Sequence, residues 1–421
     1  MRETAKPRVL MVSSNFPPVT GGSAAVYHNI CKSSGGAIVA LAPSRDYLTG
    51  KPFPGVAAHD ATAGYKLYRT DLLRPSNAGA RKRSAFTSLF GDLRVMLNAL
   101  VRVAAIVRSE RIRVVCIGDL VYGGWLIFPL RRLLGRKVVV YVHGEEVTTE
   151  DCGGLFDAWR RRFLDEADAV VCVSRFTREA LIGPMGASPS KIAVLPNGVD
   201  TERFHVRAPA ADAAARYGVA GRRVLLSVGR LVPRKGMDHL VQAMEIVTRT
   251  HPEVHLLIAG EGALRSTLAD LIAKRGLGAS VTLLGAVTDE ALAELYALAD
   301  IFALPNRQMP DGDTEGFGLV FLEANACGKP VIAGQAGGAT DAVVDGVNGL
   351  TVDGADVSGI AAAIIRLIEQ PALCQSLARS GLDLAARSDW RNRSTQFLAL
   401  CDALTAHGRR RSAPQEAGRS M

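Results

Sequence analysis

Short, nearly continuous runs of Val, Ile, Leu and Ala recur along the whole chain, each about a strand in length and each followed by a helix-length segment. Before residue 200 they are "RVLMVSS", "AIVALA", "RVVCIG", "KVVVYVHG", "AVVCVS" and "KIAVLPNG"; after it, "RVLLSVG", "VHLLIAG", "SVTLLG", "DIFALP" and "KPVIAG". Continuous rather than alternating apolarity marks strands covered by helices on both faces. The β-α-β-α order predicts an α/β protein built from two doubly wound, Rossmann-like parallel sheets. The segment "TERFHVRAPAADAAARYGVAGRR" (201–223), rich in Ala, Pro and charge, reads as the linker between them. This places one domain over residues 1–200 and a second over 201–389. The polar tail "HGRRRSAPQEAGRSM" (407–421) is expected to be disordered.

Composition supports two cores and narrows the class. A chain of 421 residues with 48% hydrophobic content can bury both, and a mean hydropathy of +0.14 with 22% charged residues fits a folded enzyme. Seven scattered cysteines form no Cys-x-x-Cys pair, so reduced, buried thiols in a cytoplasmic protein are expected, with no disulfide framework and no zinc site. The N-terminal apolar stretch is too short for a signal peptide. The most apolar window, "VVCIGDLVYGGWLIFPL", is broken by Asp119, two glycines and Pro129, and reads as a strand and helix rather than a membrane span.

Charge is distributed unevenly. The first 200 residues hold 27 Lys/Arg against 17 Asp/Glu; the remainder holds 23 against 24. With only 6% aromatic residues and no aromatic-basic interleaving, nucleic acid is not the expected partner. An anionic membrane surface or an anionic acceptor suits the basic half, the first meaning peripheral contact at the inner face of the membrane. The segment "RKRSAFTSLFGDLRVMLNALVRVAAIVRSERIR" (81–113) predicts a helix with Phe86, Leu89, Phe90, Leu93, Leu97, Leu100, Ala104 and Val107 on the stripe that packs on the sheet. Its Arg81-Lys82-Arg83 end is placed to meet lipid headgroups.

Ligands of open parallel sheets bind beyond the carboxyl ends of the strands, and four glycine-bearing or polar turns lie there: "NFPPVTGGSAA", "HGEE", "GRLVPRKG" and "EGFG". In the first, Gly21 and Gly22 allow either close approach of an anion to a helix start or simply a tight turn. His143 ends a strand, with Glu145 and Glu146 following. Arg230 and Lys235 leave another strand in a position to clamp a diphosphate. In "DGDTEGFGLVFLEANACGKPVIAG" two glutamates, Glu315 and Glu323, flank the start of a helix predicted from about Gly318 to Cys327. A helix start suits phosphate, whereas carboxylates suit hydroxyls. A sugar joined to a nucleoside diphosphate offers both. Asp311 and Asp313 read as a solvated loop rather than a metal site, since Arg230 and Lys235 supply the cations.

Together these motifs resemble the retaining glycosyltransferases of family 4, which have the two-domain GT-B fold. "EGFGLVFLE" matches the family's Glu-x7-Glu signature, "VGRLVPRKG" its diphosphate site, "PPVTGG" its glycine loop and "LPNGVD" its pre-linker motif. The resemblance implies an N-terminal acceptor-side domain, with a C-terminal helix at about 390–406 packing back on it. It also implies that Glu315 receives donor-sugar hydroxyls, Glu323 both ribose hydroxyls, and Arg230 and Lys235 the diphosphate. Gly22 approaches the diphosphate from the other domain, and the backbone of Phe317, Gly318 and Leu319 lies beside sugar and phosphate. His143 lies beside the reacting sugar, and Val287 contacts the base. Asp341 stands where the family often has Glu. The nearest likeness, to mannosyltransferases acting on phosphatidylinositol lipids, implies GDP-mannose as donor, with UDP-sugars used by many relatives. The acceptor is then a glycan, a lipid-linked or a small-molecule hydroxyl, transfer proceeds with retention and closure of the domains, and no cofactor or metal is required. A GT-B-fold sugar-nucleotide epimerase and a non-catalytic sugar-nucleotide-binding protein are the alternatives.

Overall fold

The computed structural model describes residues 8–75, 85–148 and 155–410. Its first sheet contains β1 (Val9–Val12), β2 (Ile38–Pro43), β3 (Leu67–Thr70), β4 (Val114–Ile117), β5 (Lys137–Val142), β6 (Ala169–Cys172) and β7 (Ile192–Val194), in the order β3-β2-β1-β4-β5-β6-β7. The second contains β8 (Arg223–Val228), β9 (Val254–Ala259), β10 (Val281–Gly285), β11 (Ile301–Leu304), β12 (Val331–Gly334) and β13 (Gly349–Val352), in the order β10-β9-β8-β11-β12-β13. Every pairing is parallel. Strand order reverses at β1, where Val9 pairs with both Ile38 and Val114, and at β8, flanked by β9 and β11. The crevices at these switch points are where such sheets bind ligands.

All eleven expected strands are present, and two were missed. Both missed strands, β3 and β13, lie at sheet edges, and neither is a continuous apolar run. An edge strand is covered less completely than a central one and has no need of a continuous apolar run.

The two faces of the first sheet have different covers. One carries the helix Gly22–Lys32 and the C-terminal helix Trp390–Arg410, which returns from the second unit. Ser394 Oγ donates to the Ile30 carbonyl at 3.0 Å, and the Phe397 ring lies 6.0 Å from that of Tyr141. The crossing is tight: Val199 N donates to Ser388 O, Trp390 N donates to Val199 O, and a Cβ at Gly198 would overlap both Ser388 O and the Trp390 ring. The opposite face is covered by the helices Ala85–Ser109, Ile127–Arg132 and Leu155–Glu166, whose buried residues share a core with Leu10, Val12, Val115, Ile117, Val138 and Val140.

The packing stripe expected for the helix Ala85–Ser109 is corrected here. Ala99, Val103, Ile106 and Val107 face the sheet, whereas Leu93 and Leu97 are 59% and 57% exposed and point away with Val101. A helix with apolar residues on more than one face offers more than one self-consistent stripe, and the sheet selects between them. The side chains of Phe86, Leu89 and Phe90 and the cluster Arg81-Lys82-Arg83 lie outside the described residues, as does the tail from residue 411.

The stretch 201–223 is more than a linker. Phe204 is buried with its ring edge-on to Tyr296 at 5.5 Å, and Ala213–Arg216 forms a helical turn, so the crossover segment is anchored to the second unit. Among the described residues no single helix is long and apolar enough to cross a membrane. One pair, Val357–Glu369 and Pro371–Arg387, matches by composition but bends by 98°, and Ile360, Ile364 and Leu367 in it belong to the core.

Candidate functional site

The loops leaving the carboxyl ends of the strands meet where the two units touch. The "HG" turn after β5 and the "EGFG" loop after β11 are in direct backbone contact: a Cβ on Gly316 would overlap the carbonyl oxygen of His143, and one on Gly144 would lie 3.3 Å from Gly316 Cα. Behind this contact the "GG" turn after β12 packs against the same loop. Gly338 N donates to Glu315 O at 2.7 Å, and a Cβ on Gly338 would overlap Gly316 O. Three loops from two sheets therefore close to backbone distance, which only residues without side chains permit.

Gly21 and Gly22 behave differently. Neither has any protein atom within 4 Å of the place a Cβ would occupy, and Gly21 is extended, with a φ of 160°. No protein neighbour and no left-handed backbone requires glycine there. The exposed start of the helix Gly22–Lys32 has no side-chain cap, leaving its N–H groups directed at open space.

Opposite, the turn after β8 carries Arg230 and Lys235. Arg230 is exposed and has no ion-pair partner among the described residues. Lys235 Nζ is paired with Glu315 Oε2, both side chains being 12% exposed. Burial pushes the Glu315 carboxyl up, but Lys235, aided by Arg234 and the Phe317 N–H, outweighs it and holds the group below the usual carboxylate range. The helix Leu319–Ala326 begins at Gly318, which adopts φ +86° and supplies no capping side chain. Gly318 and Leu319 thus sit at an uncapped helix start, and Phe317 is buried beside them. One helical span further on, Glu323 Oε2 accepts from Tyr296 Oη at 2.9 Å, and burial raises its pKa. Val287 is half-buried in the turn after β10, just before Thr288 caps the helix Asp289–Leu298.

His143 lies between rings, stacked on Tyr141 at 5.2 Å and edge-on to Tyr27 at 5.0 Å; Tyr27 is fixed by donating to Gly118 O at 2.6 Å. Burial lowers the imidazole to about 3, so it is neutral at physiological pH, and its Nε2 is buried without a partner. A neutral ring can contribute a hydrogen bond or packing, not a charge. Glu146 receives the N–H groups of His143 and Gly144 at 3.1 and 3.0 Å and is pushed up to about 7, chiefly by burial.

Comparison with known proteins bears on the family and the fold. Residues 214–383 match the family described as glycosyl transferases group 1, and residues 58–203 match Glycosyltransferase Family 4. The chain is 39% identical over 282 residues to a GDP-mannose-dependent alpha-(1-6)-phosphatidylinositol monomannoside mannosyltransferase of Mycolicibacterium smegmatis, covering 65% of this chain and 72% of the relative. It is 34% identical to the protein of the same name from Mycobacterium tuberculosis, over 86% of this chain and 89% of that one. The chain belongs to glycosyltransferase family 4. Among solved structures, sucrose-phosphate synthase from Thermosynechococcus elongatus superposes with a TM-score of 0.74 at 24% identity, covering 95% of this chain and all of that one, and the fold is GT-B.

Several residues that shape the site of this glycosyltransferase escaped sequence reasoning. Asp313 is not a solvated loop residue: both its oxygens receive Arg234 Nη1 at 2.8 Å, which straps the loop before Glu315 to the turn that carries Lys235. A second strap, Arg307 to Asp238 at 2.8 and 2.9 Å, holds the same loop from its other end. Asp341 gains a definite partner. It receives Arg175 N at 2.8 Å and Arg175 Nε at 2.6 Å, so the second unit caps the first turn of the helix Arg175–Ile182 in the first. Asp313 and Asp341 were visible in the sequence but not their partners, Arg234 adjoins Lys235, and Arg307, Asp238 and Arg175 carried no local signal.

Proposed function

We propose that the enzyme is a retaining, metal-independent mannosyltransferase that moves mannose from GDP-mannose to a hydroxyl of a lipid-linked acceptor. The observation that carries this reading is the arrangement of Arg230, Lys235, Glu315 and Glu323 around the uncapped helix start at Gly318. Cations and N–H groups serve the diphosphate; carboxylates serve hydroxyls of sugar and ribose. Gly22 admits the diphosphate from the other side, and His143 lies beside the sugar. The GDP-mannose dependence named for the two mycobacterial relatives supports the choice of donor and, with it, a phosphatidylinositol-type acceptor.

Retention is the outcome that the family resemblance implies, and the engagement of the nearby carboxylates is consistent with it. Glu315 is held by Lys235, Glu323 by Tyr296, and Glu146 by two backbone N–H groups. We therefore assign the attack to the acceptor hydroxyl itself, on the face from which the diphosphate departs, with a phosphate oxygen taking its proton. Catalysis is then positioning together with stabilisation of the leaving charge by Arg230 and Lys235. The direct test is incubation with GDP-mannose, UDP-glucose and phosphatidylinositol monomannoside. Mannose is expected in the lipid, α-configured like the donor, and with the rate unchanged in EDTA. An inverted product, loss of activity in EDTA restored by Mg²⁺, or nucleotide release independent of acceptor overturns the assignment, the last in favour of elimination chemistry.

Roles of the two glutamates separate by affinity. Glu323→Gln is expected to weaken binding of free GDP, because an amide cannot accept both ribose hydroxyls as a carboxylate does. Glu315→Gln should spare GDP binding and lower transfer. Calorimetric titration decides, and loss of GDP affinity in Glu315→Gln alone reverses the two roles.

Contact with the membrane is assigned to the helix-covered outer face of the first unit. Leu93, Leu97, Val101, Leu133 and Trp159 are exposed there, interspersed with the exposed Arg94, Arg102, Arg132 and Arg162. Apolar groups among cations fit an anionic interface, each basic residue adding about 1 kcal/mol within a Debye length. Sedimentation with phosphatidylinositol-containing vesicles should show binding that weakens at high salt and falls in a Leu93→Glu/Leu97→Glu variant. Equal binding to neutral and anionic vesicles, or none to either, removes this surface and favours a soluble acceptor.

A further inference from the structure

The helix Asp289–Leu298 carries a tyrosine whose ring is wholly buried and whose hydroxyl reaches into the donor site. Tyr296 Oη lies 2.9 Å from Glu323 Oε2 and 3.3 Å from the Val320 carbonyl. A phenol has one proton to give, and the shorter contact, to a carboxylate, is the stronger. The ring has no room to turn away. Phe204 packs edge-on to it at 5.5 Å and 89°, and Phe302 lies tilted against it at 5.8 Å. Its helix is also tied to the crossover segment, Arg203 reaching the Asp289 carboxylate at 2.8 Å and carbonyl at 3.1 Å.

Glu323 itself has no other side-chain partner among the described residues. Without Tyr296 its carboxylate would rotate freely about its terminal bond, which is broad and two-fold. With Tyr296, Oε2 is anchored on the core side, which fixes the carboxylate plane while Oε1 and the remaining lone pair of Oε2 are left for a ligand. Burial raises both pKa values, so the phenol stays protonated as a donor, while its hydrogen bond favours the ionised carboxylate. We propose that Tyr296 is a positioning residue for donor recognition, its hydroxyl fixing the plane of the Glu323 carboxylate for the vicinal diol of the nucleoside. This rests on the reading that Glu323 receives the ribose hydroxyls.

The test compares GDP with its 2′,3′-dideoxy analogue on the full-length enzyme. Wild type is expected to bind GDP about thirtyfold more tightly, as a site built to accept hydroxyls rejects a ligand lacking them. In Tyr296→Phe, which keeps the ring and its packing, that ratio should fall to about threefold, with KM for GDP-mannose raised about tenfold and kcat changed far less. A merely structural role weakens both nucleotides equally and leaves the ratio at its wild-type value, which overturns the proposal. In a Glu323→Gln background Tyr296→Phe should change the ratio no further, and independent, additive effects contradict the coupling. If wild type itself does not distinguish the two nucleotides, the ribose role of Glu323 fails first and the proposal falls with it. Because the decisive quantity is a ratio within one variant, partial loss of stability does not obscure it.

Discussion

Alanine at Lys235 and alanine at Arg230 are each expected to lower turnover by about 10²–10³, corresponding to roughly 2–4 kcal/mol of lost leaving-group stabilisation. The two should differ sharply in stability. Arg230 is exposed and unpaired among the described residues, so its removal should leave thermal unfolding unchanged. Lys235 is buried against Glu315, and its removal strands a buried carboxylate, at a cost of about 3 kcal/mol near neutral pH. The pH dependence has a definite sign. Lys235 holds the Glu315 carboxyl below its ordinary value, so the pair contributes stability above the unfolded Glu range and loses it as pH falls through the folded value. The melting temperatures of wild type and Lys235→Ala should therefore differ most above the ordinary Glu range and approach one another as pH falls below it. Melting curves at pH 7 and pH 3.5, with turnover at pH 7, check both statements. Near-wild-type turnover in both variants would remove the diphosphate site from this cleft.

The contrast between those two cations illustrates what a linear sequence exposes. Both stand in "GRLVPRKG", and the strand, the turn and the helix after it were all legible, because burial writes continuous apolar runs and turns write glycine. Which cation is free and which is paired was not legible. Glu315 lies 80 positions from Lys235, and the pairing exists only because β8 and β11 are neighbours in the sheet. The same holds for Arg234 with Asp313, Arg175 with Asp341, and Tyr296 with Glu323. Each joins residues far apart in the chain, so that neither stretch by itself names its partner. Strands β3 and β13 were hidden for a related reason, since edge position relaxes the apolar signal that marks the other strands. For the helix Ala85–Ser109 periodicity was strong enough to identify the element, but more than one face was apolar. Only the sheet beneath Ala99, Val103 and Ile106 fixes which one is inside.

Glycine 316 gives the sharpest test of whether the arrangement of the two units seen here is the working one. A methyl group on Gly316 would overlap the carbonyl oxygen of His143, and neither atom is the end of a flexible side chain. Backbone must move. The contact joins loops from different units, so the least costly response is separation of the loops, leaving each sheet and its core intact. The Lys235–Glu315 pair and the Tyr296–Glu323 bond lie wholly within the second unit and should survive that separation. Gly316→Ala is thus expected to bind GDP within about threefold of wild type while transferring sugar about 100-fold more slowly, the loss typical when reacting groups are displaced by about 1 Å. The clasp between Arg175 and Asp341 should report the same opening, because its 2.6 Å contact cannot span a widened junction. Adding Asp341→Ala to Gly316→Ala should then slow turnover little further, whereas Asp341→Ala alone should slow it measurably. Turnover of Gly316→Ala within threefold of wild type would mean that chemistry occurs in a more open arrangement, with His143 withdrawn from the donor sugar. Equal loss of GDP binding and turnover would instead place the damage inside the second unit, where the Gly338 turn is hydrogen-bonded to the loop of Glu315.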